Sequence, residues 1–126
     1  MKTKQPKLTQ AQVDRWVTKW KPILKLADWD IRAIIKPRHD MGEEGRVLVT
    51  SPRKIAFIRV REIDAAPDEF GYLTDAEHSV VHELIHCHLD PISPNDRNSL
   101  EALIEEQAID ALASALIALD RGTHRR

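Results

Sequence analysis

Cysteine is nearly absent from this sequence: Cys87 is the one instance in 126 residues. An intrachain disulfide is therefore excluded, and a reducing, cytoplasmic setting is the expectation. Long apolar runs are missing too. No stretch approaches the roughly 20 apolar residues of a membrane-spanning helix, so no membrane partner is expected. The leader from Met1 to Lys7 has no apolar run behind it and does not read as a signal peptide. Charge of one sign is also lacking, because 19 Lys and Arg against 20 Asp and Glu leave a net charge of −1. That balance provides no global field to steer the chain to nucleic acid or anionic lipid, and it speaks against a nucleic-acid partner. What remains is 42% hydrophobic and 31% charged residues. This is the composition of a globular domain, at a length that suits one core.

The chain shows no internal repeat and no low-complexity segment. Residues 1–8 read as a flexible basic lead, residues 9–122 as a single domain, and residues 123–126 as a basic tail. Helical spacing of Val13, Trp16, Val17, Trp20, Ile23 and Leu24 predicts a first helix from about Thr9 to Ala27. Thr9 is its cap, and Pro22 is a point of kinking or division. Trp16 and Trp20 read as core anchors. Strands are predicted over Trp29–Ile35, Arg46–Thr50 and Ile55–Val60, separated by turn-rich segments with Pro37, Gly42, Gly45 and Pro52. Arg53, Arg59 and Arg61 alternate, which suggests one wet strand face. Thr74 with Glu77 forms a capping box at the start of a second helix running to about Leu89. A third helix is expected from about Ser99 to Asp120, with Gly122 as its stop. Leu103, Ala108, Ile109, Leu112, Leu116 and Leu119 are its apolar positions. The fold class is α+β: helix, three strands, helix, helix.

The segment His82-Glu83-Leu84-Ile85-His86 matches H-E-x-x-H. Side chains four apart on a helix share a face, so His82 and His86 can converge on one ion. Glu83 is then placed to take a proton from a water in the metal's open position. Two imidazoles and a carboxylate suit Zn2+. A catalytic zinc needs a third protein ligand, and the last helix offers Glu101, Glu105, Glu106 and Asp110. We assign Glu106 as the ligand, with Glu105 and Glu101 as rivals. Asp110, one turn on, would accept a hydrogen bond from a ligating imidazole.

The pair His82-Glu83-x-x-His86 and Glu106-x-x-x-Asp110 is similar to the gluzincin arrangement of thermolysin-like peptidases. There, a glutamate about twenty residues past the second histidine completes the site and an aspartate follows one turn later. The length, the Trp29-Asp30-Ile31 segment and the run from Glu106 to Ala113 also resemble small metallopeptidases of phages and prophages. The resemblance spans Trp29 to Leu119, and its specific parts are the two motifs. It implies a minimal zincin fold: a small twisted sheet, an active-site helix and a glutamate helix. By the same analogy, Arg53 to Val60 supplies the sheet edge that pairs with an extended substrate. The activity implied is that of a zinc metallopeptidase acting on a peptide or protein.

Larger gluzincins carry a further histidine or tyrosine for the oxyanion. Here Tyr72, His39 and His78 are the candidates, His78 being also a rim residue. Two other functions compete with generic peptide hydrolysis. One is a zinc-stabilised, non-catalytic protein-binding module. The other is a phage regulator-cleaving protease of narrow specificity. Cys87 reads as a small buried apolar residue. The oligomeric state is not legible in the sequence.

Overall fold

The computed structural model describes residues 7–37, 45–62 and 75–124. His39, Gly42, Tyr72 and Thr74 lie outside them, as do most of the basic lead and the end of the tail. Among the described residues the fold is α+β, with three helices and one small mixed sheet. The order is α1 (Gln10–Ile23), β1 (Asp30–Lys36), β2 (Gly45–Thr50), β3 (Ile55–Arg61), α2 (Ala76–Leu89) and α3 (Leu100–His124).

Helix α1 starts where Thr9 and Gln12 cap each other, with Thr9 Oγ1 accepting from Gln12 N–H and Gln12 Oε1 accepting from Thr9 N–H. Val13, Val17 and Trp20 recur at i, i+4 and i+7 and form its buried stripe. Pro22 is accommodated in the last turn, and the helix ends four residues short of the predicted Ala27. Leu26 N–H donates to Lys21 O and Lys25 N–H to Pro22 O, with Lys25 in the left-handed region at φ 61°. This is a Schellman cap, and it drives the Leu26 side chain, fully buried, into the core.

The strands pair in the order β1-β3-β2, with β1 parallel and β2 antiparallel to β3. The central strand is therefore β3. The sequence reading put the substrate-pairing edge at Arg53–Val60; the cleft-side edge is β2 instead. A sequence pattern of period two gives faces but not neighbours, so strand order was outside its reach. Ala56, Ile58 and Val60 point into the core, and Phe57, Arg59 and Arg61 to the opposite face. Arg53 lies in a 3-10 turn over Ser51–Arg53, not on the strand with Arg59 and Arg61.

Helix α2 is buried nearly all round, through Val80, Val81, Leu84, Ile85, Cys87, Ala76 and the polar Ser79, Glu77 and Glu83. A helix of that kind belongs at the centre. Here the sheet and α1 cover one side and α3 the other. Its cap is Asp75, whose side chain accepts from His78 N–H, rather than Thr74. Glu77 does not reach back to the cap. Its Oε2 accepts from the Trp20 indole N–H at 2.8 Å and from Lys19 Nζ at 3.1 Å, while Arg121 approaches Oε1 at 3.3 Å. A buried carboxylate with cationic and indole donors gains more than a helix end offers.

Helix α3 runs through Gly122 to His124 instead of stopping at Asp120. Lys19 binds Asp120 at 2.7 Å, and Arg121 binds both oxygens of Asp75 at 2.9 and 3.1 Å. These anchors hold the last turn past a glycine that disfavours helix by only about 1 kcal/mol.

Candidate metal centre

The site lies where α2 and α3 run side by side. The α2 capping residue and its packed surroundings keep His82 and His86 one turn apart on the face turned to α3. Their ring centroids are 5.0 Å apart, and each side chain is 12% exposed. From α3, Glu106 reaches between them. Its Oε2 lies 2.9 Å from His82 Nε2 and its Oε1 2.7 Å from His86 Nε2. One ligand atom from each of these three residues falls within 4.8 Å of the others.

Each imidazole has a second carboxylate behind it. His82 Nδ1–H donates to Asp110 Oδ1 at 2.7 Å, and Glu105 Oε1 lies 3.5 Å from His86 Nδ1. Asp110 thereby favours, for His82, the tautomer in which Nε2 carries the lone pair, and Glu105 stands within ion-pair range of the corresponding nitrogen of His86. Two imidazole lone pairs and a carboxylate then converge on one point. That is repulsive by itself and favourable around a cation. Burial is the foremost influence on His86 and, helped by the neighbouring His82, it lowers the ring's pKa against the upward pull of Glu106. The ring is thus neutral at neutral pH, the form a metal requires. The donor set, two imidazole nitrogens and one carboxylate, is of a kind that would suit zinc.

Glu83 reaches toward the start of β2 and is 6% exposed. A Cβ placed on Gly45 would lie 3.2 Å from both Cγ and Oε1 of Glu83. The first residue of β2 is thus the floor against which this carboxylate rests. A cleft of about 480 Å3 opens there, lined by β2 from Gly45 to Val49, by Glu83, His86 and Glu106, and by Asp90, Ser93, Pro94, Asn95 and Arg97 of the α2–α3 connection.

Of the predicted residues, His82, His86 and Glu106 come together, Asp110 stands behind His82, and Glu83 lines the cleft beside them. Glu105, the rival ligand, faces the opposite ring nitrogen of His86 and accepts from Ser93 Oγ at 2.8 Å. Glu101 is exposed and outside the grouping. His78 sits one turn before His82, with Nε2 3.2 Å from Ser114 Oγ and 3.4 Å from Asp110 O, and it does not line the cleft. Tyr72 lies outside the described residues. Sequence reasoning missed Gly45, Ser93 and Arg97. Arg97 Nη2 is 3.1 Å from Glu106 Oε1. Spacing along one helix signals none of these, since all three come from a strand end and a connection. His88, next to the motif, is turned away and bonds Leu24 O.

What the fold and site define is an α+β domain with a candidate mononuclear centre made by two imidazoles and one carboxylate. No family model, curated protein or solved structure matches the chain.

Proposed function

We propose that this protein is a zinc-dependent hydrolase, a metallopeptidase of gluzincin type akin to small phage and prophage enzymes, acting on peptide or protein substrates in the cytoplasm. The observation that carries the reading is the convergence of His82, His86 and Glu106 beside a cleft that holds Glu83. When bound, zinc supplies Lewis acidity that polarises a carbonyl and acidifies a water. His82, His86 and Glu106 would hold it. Asp110 and Glu105 keep the rings oriented through Nδ1. Glu83 takes the proton from the attacking water and delivers it to the leaving amine. Among the described residues strand β2 pairs with β3 alone, and its other edge, which borders the cleft, suits an extended peptide added as a further strand. Arg97 brings a cation to the same rim.

The test is a zinc-dependent cleavage screen on a peptide library with wild type and Glu83→Gln. The variant should bind one zinc per chain and lose about 100- to 10,000-fold in turnover. Undiminished cleavage by the variant refutes the role of Glu83.

A second reading is a zinc-stabilised module that binds a protein without cutting it. Zinc-dependent stability with no cleavage anywhere in the library would select it.

A further inference from the structure

Helix α3 has two apolar sides. The inner one, Ala102, Ile109, Ala113 and Ile117, is buried against the rest of the chain. The outer one consists of Ile104, Ala108, Ala111, Leu112, Ala115 and Leu119. At 100° per residue these six fall within about a third of the helix circumference. All are exposed, Ile104 at 55%, Leu112 at 53% and Leu119 at 69%. From Ile104 to Gly122 no charged residue falls in that sector. Leu100, 67% exposed, extends the stripe at its N-terminal end, and an apolar stripe of this length marks an interaction surface.

The stripe also identifies its occupant. Read outward from the bond between Ala111 and Leu112, it repeats in both directions. Ala111 stands against Leu112, Ala108 against Ala115, and Ile104 against Leu119. A two-fold axis at that point lays the stripe on itself in an antiparallel copy, each apolar residue meeting another. The same patch on both subunits is what an isologous contact demands. Alanines near the middle let the two backbones approach, and the branched residues close the ends. Glu106 and Asp110 leave α3 on the side of α2, so both clefts stay open.

We propose that the protein is a two-fold symmetric dimer joined through the outer faces of two antiparallel α3 helices, with the dyad at Ala111–Leu112. Light scattering on the chromatographed protein at about 10 µM should return twice the 14.4 kDa chain mass. Ala111→Glu should return the single mass with unchanged helicity and metal content, because Ala111 is exposed and supports no core. Under mild oxidation, Ala111→Cys and Leu112→Cys should crosslink to each other when mixed. Ile104→Cys and Leu119→Cys should crosslink to each other when mixed and not to themselves; the native Cys87 is buried and does not compete. A single-mass wild type, a dimer that survives Ala111→Glu, or self-crosslinking of Ile104→Cys overturns the proposal, the last because it marks a parallel pairing.

Discussion

Gly45 carries a heavier constraint than its plain position at the start of β2 suggests. Its missing side chain leaves the space where the Glu83 carboxylate lies, so a methyl group there must move Cγ and Oε1 of Glu83 by a few tenths of an ångström. Displacements of that size at a proton-transferring group cost rate rather than stability. Gly45→Ala should therefore keep its zinc and lose about tenfold in kcat, as read by metal analysis beside steady-state kinetics on a cleaved peptide. An unchanged kcat would show that Glu83 is not positioned by the strand. Cys87 marks the opposite case. Burial, reinforced by nearby Glu83 and Asp90, pushes its thiol up to about 12, and it serves as core rather than chemistry. At this scale much of the site was legible. The H-E-x-x-H spacing pointed to His82, Glu83 and His86, and the last helix offered Glu106 with Glu105 and Glu101 as rivals. Gly45, Ser93 and Arg97 were not legible, because what makes them matter is proximity across the fold.

Among the elements, α3 departs most from its reading. The glycine at 122 was expected to end it, and tertiary ion pairs at Asp120 and Arg121 carry it on. Gly122 therefore sits in helical conformation with no neighbour within 4 Å of where a Cβ would stand. Gly122→Ala should stabilise the fold by about 0.5 kcal/mol, since it removes unfolded-state freedom without a clash. Urea denaturation would show a raised midpoint at constant slope; a lowered midpoint would mean that the last turn is not helical. The apolar positions of α3 were read from sequence as one set. The structure divides them, with Ile109 buried and Leu103, Leu112 and Leu119 exposed. A residue list identifies which positions are apolar but not which side of a two-sided helix meets the core.

Across the whole molecule, two devices tie the helices together. The first is the network of Asp75, Glu77, Lys19, Asp120 and Arg121, joining α1, the start of α2 and the end of α3. Burial alone would raise the Asp75 pKa. The Arg121 guanidinium and the His78 N–H outweigh it and hold the carboxyl below its ordinary value. A depressed folded-state value means stability that is present above the unfolded pKa of about 3.9 and lost as pH falls through the folded one. Asp75 is 41% exposed, so the ion pair is discounted for solvent. Asp75→Asn keeps a capping side chain and should cost about 0.5–1 kcal/mol at pH 7. That difference should shrink as the pH falls below the ordinary carboxylate range and the Asp75 carboxyl takes up its proton; a difference that does not change with pH would assign the loss to something other than charge. The second device is the metal centre, which draws ligands from α2 and α3 together. Zinc at about a thousand times its dissociation constant should add about 4 kcal/mol and raise Tm on the order of 15 °C. A chelated protein that melts where the loaded one does would remove the centre from the folding equilibrium.

The sequence by itself determined the kind and order of the elements, and the helical spacing that puts His82 and His86 on one face. Those properties depend on local periodicity and capping, which a few consecutive residues carry. Only the tertiary structure decided that β3 is central and β2 borders the cleft, that Glu77 binds Trp20 instead of capping, and that Glu106 rather than Glu105 lies between the imidazoles. Each of these is a choice between partners distant in the chain, settled by which arrangement buries apolar surface while pairing buried carboxylates such as Glu77.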